Sequence, residues 1–242
     1  MSATLAARSV VPEWLDTLPP EDPRAIRSRR DLVVVNALMG NARAMSAALR
    51  PAWQSAAEPG EGAGTWRIAE LGGGSGRVLA NVAERLRMTR PVEAVIVDLH
   101  PCVDGSASRR LVKMGWRVRA VRDDVFAWLE AQPDDAYDAI VANLFLHHFD
   151  DAALRRMLAL AARKTRTVVA CEPLRSRFAE LAAYALPLLG CNDVTRHDAV
   201  VSVRAGFRGG ELSALWPANG WHCEERRWGL FTQRFVARRA GR

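Results

Sequence analysis

Residues 70–76 read Glu-Leu-Gly-Gly-Gly-Ser-Gly, an acid followed by glycines at 72, 74 and 76 with one more at 73. Glycine loses more backbone entropy on ordering than any other residue. Four of them in seven positions mark a place where something must approach the main chain closely. Further groups able to do chemistry recur downstream. Asp98 stands in VIVDLHP, Asp123 and Asp124 in VRDDVFAW, and Asn143, His147 and His148 in VANLFLHHFDD. Glu172 follows in CEP, and His197 sits beside Asp198 in NDVTRHDAVV. Carboxylates beside an open main chain suit a ligand that carries positive charge better than a phosphate does. An imidazole, with a pKa of about 6.5, is suited to accepting a proton near neutral pH. A dinucleotide loop would need a third glycine three residues after the second, and counting from Gly72 and Gly74 that position is Arg77.

The elements that must hold these groups can be read from periodicity. Strand-like runs WRIAEL, VEAVIVDL, WRVRAV, YDAIVANL and RTVVACE alternate with the helical stretches GRVLANVAERLRM, SASRRLVKM, DDVFAWLEA and DDAALRRMLALAARK. Strands alternating with helices of this length predict βαβ units, a parallel sheet and helices on both faces. Two last runs, WHCEERRW and LFTQRFVAR, are separated only by a tight region at Gly229, which permits an antiparallel hairpin but no further crossover. The prediction is an α/β Rossmann-like sheet of seven strands, five parallel plus an antiparallel terminal hairpin. Residues 1–60 read as a helical N-terminal cover, 56–65 as a linker, 61–242 as the main domain, and about 176–218 as a mostly helical insertion before the hairpin. In such sheets ligands bind beyond the carboxyl ends of the strands, where all of the groups named above fall.

The arrangement Glu70-x-Gly72-x-Gly74-x-Gly76 resembles motif I of the class I S-adenosylmethionine methyltransferases, and the resemblance extends from about Trp66 to the C-terminus. It implies S-adenosylmethionine as cofactor and S-adenosylhomocysteine as product. That cofactor carries an ammonium and a sulfonium and no pyrophosphate, in keeping with acids at the strand ends. The resemblance gives Glu70 with Gly72, Gly73, Gly74 and Gly76 to the methionyl arm, and Asp98, next to Leu99, to the ribose hydroxyls. An acid after the third strand takes the adenine amino group. The register before Val125 and Phe126 favours Asp124, leaving Asp123 to cap the helix that follows. Asn143, at the end of the fourth strand, completes the cofactor set.

After that strand, amino-methylating DNA enzymes of this class have two prolines, whereas Asn143 is followed by Leu144 and Phe145. Cytosine-C5 enzymes need a Pro-Cys pair here, and the one such pair, Pro101-Cys102, follows the wrong strand. LFLHHFDD is similar instead to small-molecule O-methyltransferases of the ubiquinone, menaquinone and caffeate-like types. In the phenolic group a histidine two residues before an aromatic is the general base, and that register falls on His147. His148 would contact substrate or cap the helix that begins at Asp150 and Asp151. His197 is a competing base; Asp198 could orient it, although neighbours on a helix point apart. Glu172 and Arg204 are expected at the substrate, and the insertion is expected to act as a lid. Asn36, Met39 and Asn41, in the cover, would line the cleft. The expected activity is transfer of a methyl group to oxygen of a phenolic, quinone-precursor or polyketide-derived small molecule.

The net charge of +7 invites a nucleic-acid reading. Only Lys113 and Lys164 are lysines, however, and the arginines are spread among acids, with local concentrations only at 27–30 and in the ARRAGR tail. Nucleic acid is therefore not expected as a partner. RNA methylation stays as the alternative that basicity supports, and a non-catalytic cofactor-binding protein as a third. No run of ~18 apolar residues predicts a membrane span, and the first 25 residues lack the pattern of a secretory signal. Cys102, Cys171, Cys191 and Cys223 form no CxxC pair, so a cytoplasmic protein with reduced thiols and no metal site is expected. A homodimer is compatible with the sequence.

Overall fold

Strand and helix alternate from Trp66 onward because short β-branched runs give way repeatedly to amphipathic stretches. In the computed structural model, which describes residues 5–19, 21–56, 64–100 and 105–240, the cover comprises α1 (Trp14–Thr17), α2 (Pro23–Met39) and α3 (Asn41–Ala56). There follow β1 (Trp66–Leu71), α4 (Arg77–Leu86), β2 (Val92–Asp98), α5 (Gly105–Lys113), β3 (Trp116–Arg122) and α6 (Val125–Ala131). Next come β4 (Ala139–Asn143), α7 (Asp151–Lys164) and β5 (Thr167–Pro173). The insertion holds α8 (Arg177–Tyr184), α9 (Asp193–Ala205) and α10 (Glu211–Leu215), before β6 (Trp221–Trp228) and β7 (Thr232–Arg239). Most of the 56–65 linker, and the Pro101-Cys102 pair, lie outside the described residues.

The strands form one sheet in the order β3-β2-β1-β4-β5-β7-β6. The first five are parallel and β7 runs antiparallel to both β5 and β6, as expected. Chain order reverses between β1 and β4, so the loops leaving these two strands sit side by side at the carboxyl edge. The apolar spacing Leu79, Val82, Ala83, Leu86 turns one face of α4 onto the sheet. There it packs with Met45 and Leu49 of α3, Leu111 of α5, and Ile68, Ile96 and Val169 of the strands. On the opposite face Trp128 and Leu129 of α6, Leu154, Met157 and Leu158 of α7, and Leu212 of α10 cover Leu71, Ile140 and Phe235. Among the described residues no single helix is long and apolar enough to cross a membrane.

A chain of side-chain hydrogen bonds fastens the cover to the carboxyl edge. The Thr232 hydroxyl donates to Asn41 Oδ1 (2.7 Å), Asn41 Nδ2 to Asn143 Oδ1 (2.8 Å), and Asn143 Nδ2 to Asn36 Oδ1 (3.2 Å). Asn36 Nδ2 completes the series on the Leu32 carbonyl. The cover meets the insertion through Asp31, whose carboxylate accepts from the Asn192 N–H and the Thr195 hydroxyl. Thr232 is fully buried, and removing its hydroxyl strands the Asn41 acceptor. Thr232→Val, nearly isosteric, is expected to cost about 1–3 kcal/mol in urea unfolding; an unchanged midpoint would show that the chain carries no net stability.

Candidate active site

The glycine turn opens directly from β1. Gly72, Gly74 and Gly76 all adopt positive φ, 63°, 46° and 70°, where side chains are strained. The structure also shows what approaches the main chain here. A Cβ on Gly72 would fall 2.0 Å from the Phe145 ring, and one on Gly73 would fall 2.7 Å from both Glu70 Oε2 and Ile96. Part of the demand for glycine is thus internal to the protein. Glu70 itself is buried, and its Oε2 has no hydrogen-bond partner. Burial, with the nearby Asp98 charge adding to it, pushes its pKa from 4.5 up to about 8.

Asp98 ends β2 facing the same turn. Its Oδ2 accepts the Gly74 N–H at 2.9 Å and its Oδ1 the His100 N–H at 2.8 Å, so the carboxylate is oriented by main chain on both sides. Leu99 beside it is exposed. After β3 the expected division of labour between two acids is corrected. Asp124, not Asp123, caps α6, its Oδ1 accepting from the N–H groups of Phe126 and Ala127. Asp123 instead accepts the Asp124 N–H. Asp124 stands exposed at the helix end, while Val125 behind it is buried. Asn143 sits in the amide chain between Asn41 and Asn36. Met39 ends α2, one residue before the turn at Gly40.

Beyond β4 the chain turns sharply. Leu144 takes a positive φ of 50°, a strained conformation for leucine, and residues 146–148 form one 3₁₀ turn. The turn is held by Glu172, at the end of β5 and fully buried. Its Oε1 accepts the N–H groups of Phe145 and Leu146, and its Oε2 accepts the His147 N–H at 3.3 Å. The same Oε2 lies 2.8 Å from His147 Nδ1. One carboxylate thereby fixes both the backbone that lays Phe145 over Gly72 and the imidazole that follows.

A segment that sequence reading missed closes over this imidazole. Glu13 Oε1 lies 3.5 Å from His147 Nε2 and also accepts a hydrogen bond from the Ser202 hydroxyl. Burial alone would lower the His147 pKa, but bonding and charge from Glu13 and Glu172 push it up to about 9. His148, tilted against His147 with ring centroids 4.3 Å apart, is lowered by burial and then by its charged neighbour. It does not cap α7; Asp150 does, accepting the Ala153 N–H. Arg8 reaches the carbonyls of His147 and Phe149 and pairs with Asp151. Proline-broken and without clear periodicity, residues 8–18 gave no signal of this role beyond their polar side chains.

His197 serves the same segment. Its ring stacks on Trp14, centroids 3.8 Å apart, and its Nδ1 lies 2.9 Å from Asp198 Oδ1. The two adjacent side chains therefore do meet, contrary to the helix argument, because the carboxylate turns to accept the N–H groups of Trp14 and Leu15 as well. Arg204 points to a different place, pairing with Glu180 and the Tyr184 hydroxyl across α8 and α9.

Residues 68–167 match the methyltransferase domain family; no curated protein is similar to the chain in sequence. Among solved structures, an O-methyltransferase family protein from Burkholderia thailandensis superposes with a TM-score of 0.51 at 20% identity, covering 87% of this chain. The chain spans 62% of that protein's length. The plantazolicin methyltransferase BpumL, solved with S-adenosylhomocysteine, gives 0.60 at 10% identity over 90% of this chain and 91% of its own. The dimethyltransferase RosA from Streptomyces davawensis gives 0.55 at 18% identity, over 95% and 62%. At these identities the shared property is the fold. The residues present fit S-adenosylmethionine: a buried acid with an unpartnered oxygen awaits a cation, and a main-chain cradle stands beside it. Residues 68–167 thus match the methyltransferase domain family, and the seven-stranded sheet they belong to has the fold of the solved methyltransferases.

Proposed function

We propose that this enzyme transfers a methyl group to an oxygen of a small phenolic, quinone-precursor or polyketide-derived molecule. S-adenosylmethionine supplies a methyl group on a sulfonium, activated for attack by a nucleophile. Glu70 pairs with the cofactor's ammonium, the glycine turn lies along its methionyl arm, and Asp98 and Asp124 hold its ribose and adenine. Asn143 keeps the end of β4 fixed beside them.

One observation carries the choice of oxygen chemistry: the His147–Glu172 pair, set one turn from the residue that covers Gly72. Glu172 accepts a hydrogen bond from Nδ1–H and fixes the ring; displacement of Glu13 by the entering acceptor removes one of the two carboxylates that hold His147 protonated, which frees Nε2 to receive a proton from the acceptor hydroxyl. Glu13 Oε1 stands where that hydroxyl would come, so the N-terminal segment must yield as the acceptor enters. His148, whose ring lies against His147, and Asn36 and Met39 of the cover are assigned to the acceptor. Arg204 acts at a distance by joining the insertion helices, and His197 by seating Trp14. The neighbours include N-methylating as well as O-methylating enzymes, so fold alone does not choose between the two atoms. RNA fits less well. A groove lined by Arg43, Arg50, Arg85 and Arg87 runs between α3 and α4, and none of these arginines belongs to the glycine turn or to the turn after β4.

Two experiments test this reading. Glu70, with its folded pKa above its unfolded one, stabilises fully below about pH 4.5 and loses that contribution as pH rises toward 8. The wild-type protein without cofactor should lose up to about 1.4 kcal/mol per pH unit from this group over part of that window. Glu70→Gln should remove that slope in urea unfolding at pH 5, 6.5 and 8. It should also weaken S-adenosylhomocysteine binding about 10–100-fold, the worth of a charge-assisted bond at ~1.5–3 kcal/mol; parallel pH profiles or unchanged binding would contradict the assignment. Second, labelled S-adenosylmethionine with a panel of phenols, hydroxyquinones and carboxylates should give labelled methyl ethers. On the best acceptor His147→Ala should lower kcat about 10²–10⁴-fold at retained cofactor affinity, with His197→Ala affecting it less. Full turnover in His147→Ala would remove it from the mechanism.

A further inference from the structure

Where the N-terminal segment meets the turn after β4, three side chains from two distant stretches converge. One ligand-capable atom each from Glu13, His147 and His148 all lie within 4.8 Å of one another. The site is not a surface cluster. His147 is almost wholly buried, and its Nε2 completes no hydrogen bond although it faces Glu13. Nε2 and Glu13 Oε1 stand 3.5 Å apart. That is close to the edge of a tetrahedron with arms of ~2.0–2.1 Å, about 3.4 Å, the span between two ligands of one zinc ion. Asp16 Oδ2, 3.8 Å from His148 Nδ1, brings a second carboxylate to the rim.

The surroundings are those of a supported metal ligand set. A ligating histidine usually gives its other ring N–H to a carboxylate, which fixes the tautomer and makes the free nitrogen more basic. Glu172 does this for His147 at 2.8 Å and is itself anchored by backbone N–H groups. Ser202 donates to the Glu13 oxygen that faces His147. Two imidazoles with carboxylate oxygens form an N/O set, and its few ligands leave room for water, which suits zinc, cobalt or manganese rather than calcium.

We propose that Glu13, His147 and His148, with Asp16 at the rim, bind one divalent transition-metal ion of the zinc class, and that this ion clips residues 8–18 onto the end of β4. A loaded site would withhold Nε2 from the acceptor, so zinc would inhibit turnover; that consequence rests on the function proposed above, whereas the site itself does not.

The test uses full-length protein stripped with chelator and titrated with cobalt(II). Binding of one ion should raise the visible ligand-field bands of a four- or five-coordinate site without thiolate charge transfer, and zinc should displace it. Glu13→Gln and His148→Asn should each weaken binding by about tenfold or more, the scale on which even outer partners act. Each variant should still bind S-adenosylhomocysteine, which shows that it has folded. Hydrogen exchange at Trp14 and Leu15 should slow on zinc addition in the wild type only. Absence of the bands, thiolate bands, or wild-type cobalt affinity in both variants would overturn the site. Unchanged exchange at Trp14 and Leu15 would overturn the clip. Zinc binding without inhibition would count against His147 as base and leave the metal site standing.

Discussion

Taking a carboxylate out of water is costly unless something compensates it, and this fold does so twice along one sheet edge. Glu172, at the end of β5, is compensated from within, by three backbone N–H groups and an imidazole. Glu70, at the end of β1, is not: one of its oxygens has no partner, and its proton affinity has risen accordingly. The first acid shapes the turn after β4, and the second is left with an unmatched oxygen. Most of what surrounds them follows from that asymmetry.

Because Glu172 gathers the amides of Phe145, Leu146 and His147, the chain after β4 bends back through a strained Leu144, and the Phe145 ring settles on Gly72. The turn after β1 and the turn after β4 therefore shape each other across the point where strand order reverses. Gly73 has the same dependence on Glu70, since a side chain there would strike its unpartnered Oε2. The cover adds a second tie, running from Thr232 through three asparagines. The end of β4 is thus held from both faces of the sheet.

The sheet was legible because its code is local: β-branched runs and 3.6-residue apolar spacing fix each element, and short connections fix the parallel order. The placing of Glu70 and Asp98 at the carboxyl edge was legible for a related reason, since strand ends position them directly. What escaped was set by contacts between distant residues. Nothing near Glu13 indicates that it reaches His147, 134 positions away. The pairing of His197 with Asp198 depends on amides of Trp14 and Leu15 in the same distant segment. The capping roles of Asp124 and Asp150 turned on single-residue register, which composition does not resolve. His147 was found through its spacing to Phe149, but its protonation belongs to two carboxylates that no local pattern could place.

The central claim is that a neutral, buried Glu70 gives up its proton to meet a cationic cofactor. Calorimetric titration of S-adenosylhomocysteine into the folded protein at pH 7, in two buffers of different ionisation enthalpy, counts that proton directly. Tight binding with release of a substantial fraction of one proton is the predicted result. No heat with S-adenosylhomocysteine or S-adenosylmethionine, or binding heats that do not depend on the buffer, would contradict it.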